Sequence, residues 1–254
     1  MGYPNDILTS RAVIKPGKYA ILPPEGLVNN IVPGFENASM SILSSPKTGA
    51  SFVDYVVTFH KDGKNEKGFG GQEDVETFVY VLEGKVKAKA DDEEFVLEQG
   101  GYLYCPPSVT MYLENQLDTD SKLFLYKQKH IPLEGHTPWV HAGNSNDNED
   151  VIYDDMENVH IQDLLPTDIA FDMNFHILTF DPAASHPFVE THYQQHGAYL
   201  LSGEGMYNLD NEWIPVKKDD YIFMGTYCLQ AAYAVGREKL SYVYSKDCNR
   251  DASL

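Results

Sequence analysis

The chain has 254 residues, 43% of them hydrophobic and 22% charged, which is long enough for one large β domain or two modest ones with separate cores. A formal net charge of −19 repels phosphate backbones and anionic lipid surfaces, so neither a nucleic-acid nor a membrane partner is expected. No stretch approaches the roughly 20 apolar residues of a membrane helix, and the opening MGYPNDILTSRAVIKPGKYA has no apolar signal-peptide core, which predicts a cytoplasmic protein.

In chain order, SFVDYVVTFH, TFVYVLEG, GYLYCPP and KLFLYK occupy the first half, and NFHILTFDP, AYLLSGEG, DYIFMG and KLSYVYS the second. Their length and their β-branched and aromatic content predict strands, and the Gly, Pro and Asp turns between them predict an all-β barrel or sandwich. One short helix is expected near HIQDLLPTD. Cys105, Cys228 and Cys248 are odd in number and lack C-x-x-C spacing, which predicts reduced thiols and neither a disulfide framework nor a thiolate metal site.

The two halves repeat one another. Gly84, Tyr102 and Lys127 have counterparts at Gly203, Tyr221 and Lys246, each 119 positions further on, while Thr58-Phe59 matches Thr179-Phe180 after a slip of two. His141 to Asn158, rich in Asn, Asp and Glu, is expected to be a solvated linker, which divides the chain into barrels at 1–150 and 151–254. Between Lys129 and Lys217 there is no Lys or Arg, favourable surroundings for a bound cation.

Within that window FVETHYQQHG offers Glu190, His192 and His196, whose even spacing would aim all three at one face of a strand. Tyr193 stands where a zincin helix needs its Glu, so an H-E-x-x-H reading fails. Gln230 on a later strand is the candidate fourth ligand. Two imidazoles, a carboxylate and an amide oxygen suit octahedral Mn²⁺ or Fe²⁺ with open positions better than structural Zn²⁺. The repeat counterparts of these four are Gly71, Glu73, Thr77 and Met111, so one metal per chain is expected, in the C-terminal barrel only. Each of the remaining histidines is read as a surface or satisfied core residue. On KLSYVYSK, Tyr242, Tyr244 and Lys246 share a face, and an inward Lys246 could pair with an anionic substrate or move protons. Lys127, its counterpart, is expected to be a solvated strand-end residue.

KKDDYIFMGTYCLQ resembles the second motif of the cupin superfamily, with Gln230 where most cupins have His, and Glu190 preceding the histidines departs from the usual order. From GLVNNIVPGFENASMSIL to YSKDCNRD the chain is similar to the (S)-ureidoglycine aminohydrolases of purine degradation. That resemblance implies a bicupin, two tandem cupin barrels, that uses Mn²⁺ to convert (S)-ureidoglycine and water into (S)-ureidoglycolate and ammonia. It also implies Glu190, His192, His196 and Gln230 as metal ligands and Tyr207, Tyr242, Lys246 and Gln230 as substrate contacts, with Lys246 and Glu190 in catalysis, in a homo-oligomer. Two other readings of the residues are an Fe²⁺ dioxygenase acting on a small acid and a non-enzymatic binding protein.

Overall fold

The computed structural model describes residues 9–252 and is built almost wholly of strands. A 10-stranded sheet runs from Phe35–Ser44 to His141–Asn144 and closes the first barrel. An 8-stranded sheet and a 3-stranded sheet, Glu204–Leu209 with its neighbours Glu212–Lys217 and Gln230–Val235, form the second. The early strands Val13–Lys15 and Tyr19–Leu22 do not join the barrel that follows them. Tyr19–Leu22 pairs antiparallel with Tyr221–Met224, and Val13–Lys15 beyond it is the edge of the second barrel's large sheet.

Three apolar clusters explain why several strands read as near-continuous hydrophobic runs. Val79, Val81, Leu123 and Leu125 fill the first barrel, while Leu178, Ala198, Leu200 and Ile222 fill the second. Their alternate neighbours Phe78, Tyr80, Phe124, Tyr126, Phe175, Tyr199, Tyr221 and Phe223 form a third core between the barrels. Side chains alternate along a strand, so a strand buried on both faces needs apolar residues at every position. Phe78 and Phe175, one from each barrel, stack at 3.8 Å between centroids with 7° between planes.

Two local expectations fail for backbone reasons. HIQDLLPTD is not helical: Met156–Asp163 is a strand, and beyond it the Leu164 N–H donates to Phe175 O (2.8 Å) while the Leu165 N–H donates to Asn174 Oδ1 (3.1 Å). Pro166 then prevents the segment from continuing into a helix. The supposed linker is largely paired, because His141–Asn144 extends the first barrel beside Gly101–Cys105 and Val151–Tyr153 begins the second beside Met156–Asp163. Polar side chains there face outward while the backbone completes two sheets.

One carboxyl is sealed in the interface between the barrels. Asp54 accepts a 2.5 Å hydrogen bond from the Tyr221 hydroxyl and a 3.3 Å bond from Ser44, and burial pushes its pKa up to about 7. A folded-state pKa raised above the unfolded value near 4 gives a stabilising contribution that is complete below about pH 4 and is lost as the pH rises through about 7. Thermal melts should therefore show wild type losing melting temperature between roughly pH 4 and 7 more steeply than Asp54→Asn. Parallel curves would assign the pH dependence to other groups.

Candidate metal centre and active site

Every residue singled out from the sequence as a site residue lines one cavity of the second barrel: Glu190, His192, His196, Tyr207, Gln230, Tyr242 and Lys246. Its free volume is about 20 Å³, room for a single ion or water. A substrate of several heavy atoms therefore requires the lining side chains to move. Larger clefts lie elsewhere on the chain, and donor chemistry rather than volume distinguishes this one.

The side chains converge by a different route from strand alternation. Of Glu190, His192 and His196, only His196 lies in a strand, His196–Ser202 of the large sheet. Glu190 is joined to Gln230 by a two-way backbone bridge (2.8 and 2.9 Å), which ties it to the small sheet, and His192 sits on the irregular crossing between the two sheets. Pro187, just upstream, cannot donate a ladder hydrogen bond, consistent with the absence of a strand there. Tyr242, Tyr244 and Lys246 do point inward together from Leu240–Asp247.

The imidazole tautomers are set by backbone carbonyls. His192 Nδ1 donates to Gln194 O (3.0 Å) and His196 Nδ1 donates to Ser245 O (2.7 Å). Both rings consequently turn an unprotonated Nε2 towards the other, 3.2 Å apart. Two lone pairs facing at that distance repel unless a cation lies against them. The Gln230 carboxamide reaches 2.6 Å from His192 Nε2, and a half-turn about its last bond exchanges nitrogen for oxygen without changing its shape. The donor set thus fits a divalent ion bound by two imidazoles, an amide oxygen and Glu190.

Charge in the cavity is strongly perturbed. Burial raises the Glu190 carboxyl, opposed by a 3.3 Å hydrogen bond from Tyr153 and by the Lys246 charge. Burial lowers both histidines, His196 the more strongly, and Lys246 lowers them further. Among the described residues no carboxylate pairs with Lys246, which leaves a cation facing the cavity. The Tyr207 and Tyr242 hydroxyls are 3.2 Å apart and fully enclosed.

Local sequence does not mark Tyr153 or His186 as site residues: Tyr153 falls in the segment expected to be a linker, and His186 is among the histidines expected to be surface or satisfied core residues. Its Nδ1 accepts from the Ala232 N–H (2.8 Å), so its proton sits on Nε2, 4.0 Å from Glu190. Nothing in the spacing marked either residue, because both reach the cavity through tertiary pairing.

A second group of possible metal ligands lies between the barrels. Glu76, His130 and Asp172 bring ligand atoms within 4.8 Å of one another. Their oxygens are already engaged: Glu76 accepts from Tyr104 (2.5 Å) and Gln128 (2.6 Å), and Asp172 from His130 (2.7 Å) and the Ile131 N–H (2.6 Å). Burial works to lower His130, but its bonds to Asp172 and Glu76 outweigh this and lift it to about 9. This triad can hold a metal by residue type, yet its polar groups are satisfied without one, unlike the facing Nε2 atoms. In the first barrel Lys127 is not a solvated strand end. Its ammonium lies 5.6 Å from the Tyr55 ring centroid and 5.7 Å from that of Phe69, drawn over both by cation–π attraction.

A family model described as an EutQ-like cupin domain matches residues 49–127. An (S)-ureidoglycine aminohydrolase of Escherichia coli (strain K12) is 57% identical over 254 residues, covering 100% of this chain and 97% of that protein. The chain belongs to the (S)-ureidoglycine aminohydrolase family. A probable (S)-ureidoglycine aminohydrolase of Oryza sativa subsp. japonica is 31% identical over 92% of this chain and 74% of its own length. In three dimensions the crystal structure of the E. coli protein Ylba superposes with a TM-score of 0.90 at 54% identity, covering 100% of both chains. The family's cupin fold is the one built here.

If the facing nitrogens hold the ion, His192→Ala and His196→Ala should each abolish metal retention after dialysis, measured by elemental analysis, with near-native circular dichroism. Wild-type metal content in either variant would place the ion elsewhere, the Glu76 triad being the first place to look.

Proposed function

We propose that this chain hydrolyses (S)-ureidoglycine to (S)-ureidoglycolate and ammonia, with one Mn²⁺ held by Glu190, His192, His196 and Gln230 in the second of two cupin barrels, roughly residues 151–254. The observation that carries the reaction is the full-length identity to an enzyme named for it. The mostly hard donor set, without thiolate, supports Mn²⁺ over Zn²⁺. In the reaction one C–N bond to the amine breaks, one C–O bond to water forms, and ammonia leaves.

When bound, the ion supplies a Lewis acid and a fixed point for the substrate's polar groups. The chain's own residues do the remainder. The unpaired Lys246 ammonium meets the substrate carboxylate and fixes which hand of the carbon enters. The enclosed Tyr207 and Tyr242 hydroxyls offer hydrogen bonds to the ureido group and select one orientation. Glu190, held by Tyr153, is placed to take or return a proton as water adds and ammonia departs. The apolar wall of Leu178 and Met224 excludes bulk water from the reacting carbon.

The direct test supplies Mn²⁺ and freshly generated substrate and measures ammonia above the spontaneous rate. Release no faster than in a blank would refute the reaction. Lys246→Met keeps most of the side chain's length and deletes its charge. It should retain Mn²⁺ and lose turnover by on the order of a hundredfold, and wild-type turnover would make Lys246 a bystander. Gln230→His replaces a hard oxygen donor by imidazole and should shift metal preference towards Co²⁺, Ni²⁺ or Zn²⁺ in a competition assay. Unchanged selectivity would remove Gln230 from the ligand set.

A further inference from the structure

The segment that carries the two histidines crosses between sheets with no strand of its own from Thr191 to Gln195. Its geometry has to be held from outside. At one end the Tyr227 N–H donates to His192 O (2.8 Å), and Thr191 Oγ1 donates to Tyr227 O (3.1 Å). At the other end stands Gln195, directly before His196, and its side chain is fully committed. Gln195 Oε1 accepts from the Ser51 N–H (2.8 Å) and the Ser51 hydroxyl (3.2 Å), while Nε2 donates to Gly49 O (3.2 Å) and Thr226 Oγ1 (3.3 Å). The Gln195 backbone N–H also favours the ionised carboxylate of Asp247, the residue after Lys246, against the burial that raises it.

Three of those four side-chain bonds go to residues 49–51, which lead into the first barrel. The anchor is itself rigid. Ser45 and Thr48 form a reciprocal capping box around the turn, and Gly49 closes it at φ 98°, packed so tightly on Gly17 that a side chain would not fit. The residue after His196 is held from the same side: a Cβ at Gly197 would collide with the Asp54 carboxylate and press on Phe52, both from the first barrel.

We infer that Gln195 is a positioning residue through which the first barrel, which has no counterparts of the four proposed ligands, holds His192 and His196 in metal-binding geometry. The inference rests on the proposed metal site. The repeated first barrel thereby acquires a role in the chemistry: it supplies the fixed wall against which the ligand segment is set. Groups that orient metal ligands typically change affinity 10- to 100-fold when removed.

The experiment uses the full chain, stripped of metal and titrated with Mn²⁺, with free ion read by electron paramagnetic resonance. Gln195→Met keeps the side chain's length and removes all four bonds. The Mn²⁺ Kd should rise by about tenfold while the melting temperature of the metal-free chain stays close to wild type. An unchanged Kd overturns the inference, whatever happens to the melting temperature, since it would make Gln195 a tie between barrels and nothing more. Should Gln195→Met fail to fold, the exposed pair Ser51→Ala with Thr226→Val removes two of its four side-chain bonds, and a Kd raised by a smaller factor supports the inference while an unchanged one refutes it. His192→Ala is the companion arm. If it abolishes binding while Gln195→Met binds as wild type, positioning alone is wrong; if it binds as wild type, the metal assignment is wrong and the positioning role falls with it.

Discussion

The structure depends on strands buried on both faces. One alternating pattern has to fill a barrel with one set of alternate positions and seal one barrel against the other with the other set, and neither set tolerates a polar residue without a partner. The interface is therefore aromatic, with Phe78, Phe124 and Tyr126 meeting Phe175 in stacked and edge-on contacts. Polar groups admitted there are saturated with hydrogen bonds, as around Glu76 and Asp172, or carry a raised pKa, as Asp54 does. The same alternation determines the site: Val243 belongs to the interface, so Tyr242 and Tyr244 have to face the cavity.

This division of faces separates the site's rigid parts from its adjustable ones. Tyr207, Tyr242 and His196 stand on paired strands with packed neighbours, and their orientation follows from the fold. Glu190 and His192 lie outside the ladders and take their positions from individual hydrogen bonds. A cavity lined by both kinds can hold an ion tightly on one side and yield on the other, which a space of about 20 Å³ requires if a substrate is to enter.

Much of this was legible in the sequence, for identifiable reasons. The 119-residue repeat exposed two copies of one scaffold, and period-two alternation on KLSYVYSK correctly turned Tyr242, Tyr244 and Lys246 one way, because Leu240–Asp247 is a regular strand with partners on both sides. The same rule applied to Glu190, His192 and His196 reached convergence by the wrong geometry, since those residues bridge two sheets. His130, Tyr153 and His186 were silent. Their partners lie far away in sequence or belong to a segment whose acidic composition resembled a linker, and composition reports which side chains meet solvent rather than whether the backbone is paired. Lys127 was misread for a related reason: a charged residue at a strand end has two comfortable environments, water and the faces of aromatic rings, and local sequence does not distinguish them.

The exchanged strand Tyr19–Leu22 bears on how the chain is made. Its partner, Tyr221–Met224, lies about two hundred residues downstream, so Tyr19–Leu22 has to wait for all of that chain before it can pair. The first barrel's strands are made before that partner is, but the large sheet of the second stays open at that edge until Tyr221–Met224 has formed. Such non-local pairing makes for slow folding and exposes unpaired strand edges meanwhile. The early strand and the sheet edge it covers are therefore open to wrong pairing until the second barrel's own strands have assembled.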